Sequence, residues 1–127
     1  MLVKIILSIK PEYANKIFNG TKKFEYRKVI FSRMDVDSVI VYSTMPEGLV
    51  IGEFKIENVL KGSPSEIWDT TKESAGISQK NFFNYFLEKK NAYAIKISQA
   101  IKYSSPKTLK DINKNIKNAP QSFVYVK

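Results

Sequence analysis

Apolar residues occupy every second position of "LVKIILSIK", at Val3, Ile5, Leu7 and Ile9, the period of a strand with one buried face. The following "PEYANKIFNG" changes period. Tyr13, Ile17 and Phe18 fall near helical spacing, Pro11 suits a first helical turn, and Gly20 can end the helix in a left-handed conformation. Alternation resumes in "KKFEYRKVI", with Phe24 and Tyr26 on one face and Lys23, Glu25 and Arg27 on the other. "DSVIVYST" and "GLVIGEFKIENVL" predict two further strands joined by a turn at "MPEG", with Gly52 marking a bulge or bend in the second.

The pattern then turns helical. In "GSPSEIW", Ser63 can cap, Pro64 takes the first turn and Glu66 returns a bond to the cap. "ISQKNFFNYFLEKK" offers Ser78 as a second cap and an apolar face of Phe82, Tyr85 and Phe86. Residues 64–90 therefore read as helical with a break near Gly76, and Trp68 as an anchor from helix to core. "AYAIKISQAIKY" returns to alternation through Tyr93, Ile95, Ile97 and Ile101, Thr108 caps a helical turn in "TLKDI", and "SFVYV" closes the chain as a strand. No repeat, low-complexity run or linker divides it, so residues 1–127 are expected to form a single domain. The element order lacks the regular strand–helix–strand alternation of a doubly wound sheet. It predicts an α+β fold in which a curved sheet makes a small β-barrel decorated by short helices, closure removing exposed strand edges.

Composition narrows the chemistry. With 127 residues, 43% hydrophobic and 13% aromatic, the chain can bury a core without covalent staples. It has no cysteine and no histidine, which removes thiolate nucleophiles, disulfides, cysteine-based zinc sites and the usual neutral-pH proton shuttle. Carboxylates, lysines and hydroxyls are left to do any chemistry, and no cofactor or metal is expected. The apolar start is too short to span a membrane and Lys4 interrupts it, so the expectation is a cytoplasmic protein with no membrane partner.

The net charge of +9 is uneven. Residues 1–34 carry eight basic and two acidic groups, residues 35–101 seven and nine, and residues 102–127 six and one. Basic ends flank a slightly acidic middle. If the ends meet in space they make one positive face, as expected of a nucleic-acid binder.

One stretch concentrates the chemistry. In "FNGTKKFEYRKVIF", Glu25 and Arg27 share a sheet face two positions apart, where carboxylate and guanidinium can pair into a polar platform. An ionised Glu25 there accepts hydrogen bonds, for example from the exocyclic amine of a base. The same alternation also fits an ordinary half-exposed strand. Ser8 and Lys10 in "LSIKP" either form a cleft lip or cap and solvate a turn, and Tyr26, Tyr42 and Phe54 fit both base stacking and the core.

"GTKKFEYR" reads G-x-K-x-x-E-x-R, which resembles the signature of the ASCH domain family, similar in fold to the PUA domain. The resemblance extends along the chain: "ILSIKPEYANKIFNGTKKFEYRK" looks like the family's first strand, helix and motif strand, "ESAGISQKNFFNYF" like its helical insert, and "APQSFVYV" like its closing strand. It implies a PUA-like barrel that binds RNA or a nucleotide in a cationic cleft around Lys22, Glu25 and Arg27, with Gly20 giving the turn. Lys23, Ser8 and Lys10 are further candidates for that contact. Some relatives are amidohydrolases that deacetylate N4-acetylcytidine, using a lysine at the position of Lys22, a threonine nucleophile at that of Glu25 and a glutamate near Glu73. This chain keeps the lysine and a glutamate but lacks the hydroxyl, since Thr21 lies on the wrong side of Lys22. Other relatives are described as ribonucleases. Hydrolysis by Lys22, Glu25 and Glu73, of a modified nucleoside or of RNA, is therefore the alternative to binding alone, and a regulatory protein-interaction module is a third reading. Convergence of Lys22, Glu25, Arg27 and Glu73 on one pocket would favour small-molecule chemistry, whereas an open basic groove would favour RNA.

Overall fold

The computed structural model describes residues 2–126; Met1 and Lys127 lie outside the described residues. Six strands form one sheet: β1 (Val3–Ile9), β2 (Phe24–Arg27), β3 (Val36–Ser43), β4 (Leu49–Gly62), β5 (Ala92–Lys107) and β6 (Phe123–Val126). Their spatial order is β2-β5-β4-β3-β1-β6. The β1–β3 pair is parallel and the other pairs are antiparallel, so the sheet is mixed and the fold is α+β.

The expected barrel is not reached. β2 and β6 stand at opposite edges of an open sheet and share no ladder. Both are four residues long, so each edge offers few backbone groups for a closing ladder. A side chain crosses there instead: the Arg27 guanidinium on β2 donates to the carbonyl of Ser122, just before β6, at 3.2 Å.

The helices form where local chemistry specifies them. α1 (Pro11–Phe18) starts on Pro11 and is followed by Gly20 at φ +86°. α2 (Pro64–Thr71) has the Ser63–Glu66 capping box, and a 3-10 turn at Lys72–Ser74 leads to Gly76 at φ +64°. α3 (Gln79–Tyr85) begins at Ser78, whose hydroxyl accepts from the Asn81 amide. α4 (Leu109–Ile112) is a single turn boxed by Thr108 and Asp111.

Packing divides between the sheet's two faces and the α2–α3 cover. Ile5, Leu7 and Ile9 of β1 meet Val39, Val41, Phe54 and Ile95 beneath Ala14 and Ile17 of α1. The opposite face carries Ile6, Ile40, Tyr42 and Val50, covered by Leu109, Ile112 and Ile116. β1 is therefore buried on both faces, which a simple alternation does not anticipate. Gly52 lies flat under α1: a Cβ there would come within 2.6 Å of the Phe18 ring and 2.5 Å of the Ile101 carbonyl. The third cluster joins Tyr26, Ile67, Phe82, Phe86, Ala92 and Ala94, with Trp68 packed 4.9 Å from Phe82 between ring centroids.

Candidate functional site

The turn after α1 sets the position of Lys22. The backbone amides of Thr21 and Lys22 both donate to the Lys16 carbonyl at 3.0 Å, and the positive φ of Gly20 lets the chain reverse into β2. Lys22 is then directed inward, with only 3% of its surface exposed. Its ammonium donates to the Ala75 carbonyl at 2.7 Å and lies 4.6 Å from the Tyr26 ring centroid and 5.3 Å from that of Tyr13. Gly76 packs against the lysine stem: a Cβ there would fall 2.5 Å from the Lys22 Cβ. The loop between α2 and α3 is thereby fitted to one side chain.

Among the described residues, no carboxylate comes within ion-pairing distance of this ammonium. Burial pulls the Lys22 pKa from 10.5 down to about 8, against an opposing pull from the Glu25 carboxylate, while Lys16 pushes further down. Tyr26 beneath it is fixed by its own hydroxyl. The Thr71 hydroxyl gives its proton to the Ile67 carbonyl, so at the 2.7 Å contact between Tyr26 and Thr71 the phenol is the donor. Burial raises the Tyr26 phenol to about 12, with Thr71 lowering it and Glu25 raising it further.

Glu25 is buried at 6% exposure and pairs with Arg27 at 3.2 Å. The guanidinium also faces the Ser8 carbonyl at 3.5 Å and reaches the Ser122 carbonyl. Arg27 thus ties β2, β1 and the approach to β6 together at one end of the sheet.

Lys22, Glu25 and Arg27 line one cleft of about 510 Å3. Ser8 and Lys10, at the end of β1, form part of its lip; the Ser8 hydroxyl donates to the Pro120 carbonyl at 2.7 Å, so it also holds the rim. Lys23 is exposed and outside the lining, its backbone engaged with Ser74 and Ile97. Glu73 is likewise exposed, on the 3-10 turn, and does not line the cleft. The Lys22, Glu25 and Glu73 set is therefore not assembled in one place. Tyr42 and Phe54 belong to the core, whereas Tyr26 is both core and cleft floor.

Several lining residues escaped the sequence reading: Glu12 and Tyr13 from α1, and Ile77, Asn81, Asn84 and Tyr85 from the α3 segment. Asn81, Asn84 and Tyr85 are spaced i, i+3, i+4 on α3, one helical face, and Ile77 lies just before its cap. That polar-aromatic stripe beside the Phe82–Phe86 face was the available signal. Burial raises the phenols of Tyr13 and Tyr85. The lining carries three cations, Lys10, Lys22 and Arg27, against two carboxylates, Glu12 and Glu25, a mixed rather than purely cationic wall. Among the described residues no acidic cluster is suited to a metal ion, and no helix is long and apolar enough to cross a membrane.

The chain as a whole is similar to several known proteins. Two similar sequences lie within longer proteins of Ureaplasma parvum serovar 3: ATP synthase subunit alpha, 33% identical over 124 residues, and large ribosomal subunit protein uL22, 34% identical over 127. Each match covers 97% of this chain, which spans only 15% and 39% of those relatives. An ASCH domain-containing ribonuclease of Zymomonas mobilis is 28% identical over 124 residues, covering 96% of this chain and 83% of that protein. The crystal structure of ASCH from Zymomonas mobilis superposes with a TM-score of 0.87 at 26% identity, covering 98% of this chain and 87% of that one. The family model described as ASCH domain matches residues 7–107, from within β1 to the end of β5 and so across the whole motif, and the chain belongs to the ASCH domain family.

Proposed function

We propose that the cleft binds one nucleotide unit of RNA, or a free nucleotide, with Lys22 and Glu25 reading the base or its immediate polar groups. The observation that carries this reading is the Lys22 ammonium: nearly excluded from solvent, without an ion-pair partner among the described residues, and facing a concave cleft. Burying a cation whose partners are one carbonyl and two aromatic faces, with no carboxylate in reach, is unfavourable compared with an apolar side chain of similar shape. Such groups cluster at functional sites because a ligand supplies the missing acceptors.

The remaining walls suit a base. The volume lies in the range of small-molecule sites, a few hundred Å3 and upward. Tyr13 and Tyr85 offer aromatic faces, Asn81 and Asn84 offer both donors and acceptors, and Glu25 can accept from an amine. Arg27 acts differently from a free phosphate reader. With Glu25, Ser8 and Ser122 occupying it, its main task is to hold the platform in register. Titration of nucleosides and nucleotides against the protein, followed by backbone amide shifts, tests the reading; perturbations should centre on Lys22, Glu25 and α3. Shifts confined to the α4 side of the sheet, or none, would remove its basis.

A second reading, RNA cleavage, is favoured by one observation: the ribonuclease of Zymomonas mobilis aligns along 96% of this chain. A lysine held near a pKa of 8 and a neighbouring carboxylate are chemically able to stabilise and move charge during phosphodiester cleavage. Product formation from single-stranded RNA by wild type and not by Lys22→Met supports it. Deacetylation of N4-acetylcytidine gains no comparable support, because no hydroxyl occupies the Glu25 position and Glu73 lies outside the cleft.

A further inference from the structure

A second concavity, of about 390 Å3, opens on the far side of Arg27. It shares Ser8, Arg27 and Tyr85 with the cleft and adds Lys28, Val29, Gln121 and Ser122. The two spaces are therefore consecutive parts of one groove, divided by the Arg27 guanidinium and the Tyr85 ring.

Their electrostatics differ. The cleft mixes cations with Glu12 and Glu25, whereas no carboxylate lines the second space. Its cations are also held in place. The Lys28 ammonium lies 4.5 Å from the centroid of Tyr85, within cation–π range, and Arg27 is fixed by Glu25 and the Ser8 and Ser122 carbonyls. Lys28 forms no salt bridge among the described residues, which leaves its charge available, while Glu25 takes up part of that of Arg27. The Gln121 amide and Ser122 hydroxyl add neutral donors at the same rim. A wall with cations, donors and no carboxylate selects an anion with several acceptor oxygens. Its position beside a base-sized cleft fixes how that anion is attached.

Building on the nucleotide reading of the cleft, we propose that this second space is a phosphodiester subsite, receiving the phosphate and sugar of the nucleotide adjoining the one held beside Lys22. The ligand is then a single-stranded oligonucleotide rather than a free nucleoside. A strand is required because a base can enter a concave cleft only when it is unstacked.

Binding of nucleosides, nucleoside monophosphates and ribodinucleoside monophosphates, compared on wild type, Lys28→Ala and Gln121→Ala, tests the proposal. Joining a second nucleotide through its phosphate to the best-binding nucleoside should strengthen binding about tenfold, the gain expected of one charge-assisted contact. Lys28→Ala should remove most of that gain and Gln121→Ala part of it, with nucleoside binding unchanged in both. A dinucleotide that binds no tighter than its nucleoside overturns the subsite and leaves the cleft reading standing. So does a Lys28→Ala variant that weakens both ligands equally or neither. A protein that binds no nucleoside and no dinucleotide overturns both.

Discussion

The buried ammonium of Lys22 makes this region's pH behaviour predictable. Its folded pKa, about 8, lies below its ordinary value of 10.5, so between those values the unfolded chain binds more protons than the folded one. Stability therefore rises with pH across that window, by on the order of 3 kcal/mol when complete. Tyr26 opposes this from about pH 10 upward, because its raised pKa makes the folded state the better proton binder. Lys22→Met should abolish the rise between pH 8 and 10, read from urea midpoints against pH, and should unfold no more easily than wild type at pH 7. An unfolding free energy at pH 7 several kcal/mol below wild type would show that the Ala75 bond outweighs desolvation. Ligand affinity has the opposite trend. If the charged lysine makes the contact, binding weakens as pH passes through about 8. Gly76 extends the test to its neighbour. Gly76→Ala introduces a Cβ against the Lys22 stem at a positive φ, and should lose about 2 kcal/mol together with the Lys22–Ala75 contact.

At the scale of elements, the motif strand was legible and its role in the sheet was not. The residues that start and stop each helix are local: Pro11 and Gly20, the Ser63–Glu66 box, Ser78, and the Thr108–Asp111 box. They could be read from sequence because capping is decided within four residues. Barrel closure was not legible, because it depends on whether two four-residue strands meet across the whole fold. Nor was the cleft-facing side of Asn81, Asn84 and Tyr85, since the helical pattern groups Tyr85 with Phe82 and Phe86 on one apolar face. Glu73 stands outside the cleft for a related reason: its backbone neighbours Ser74 and Ala75 touch the motif, but its own side chain is exposed on the 3-10 turn. Arg27 is the element-level prediction. Arg27→Lys cannot reproduce the forked contacts to Glu25, Ser8 and Ser122. It should destabilise the protein by about 1–2 kcal/mol, as expected when the charge is kept but the hydrogen bonds to the Ser8 and Ser122 carbonyls are lost, and should speed amide exchange in β6 and at Ser122. Unchanged exchange there would mean that the β2–β6 gap is held by something else.

Over the whole molecule, the two basic ends do approach each other, since β6 pairs with β1. They do not merge into one positive face at the cleft. Leu109, Ile112 and Ile116 carry the lysine-rich α4 segment onto the opposite side of the sheet, and the chain reaches the cleft rim only at Pro120 to Ser122. Few phosphates are therefore contacted beside the cleft, and the slope of log affinity against log salt should be shallow, about −1 to −2 at roughly −0.7 per neutralised phosphate of a single strand. We further propose that the chain folds as one domain. Trp68 reports on the α2–α3 cluster and far-ultraviolet circular dichroism on the sheet, so their urea transitions should coincide; separate midpoints would divide the chain into two units.

The most direct test of the account is fluorescence anisotropy of a labelled single-stranded RNA, titrated at fixed salt and pH 7 with wild type and Lys22→Met after matching their circular dichroism. Wild type should bind, and the variant should lose at least about tenfold in affinity while remaining folded. Equal binding by the two proteins, or no binding by wild type even at low salt, would contradict the assignment of the cleft around Lys22 as the nucleotide site.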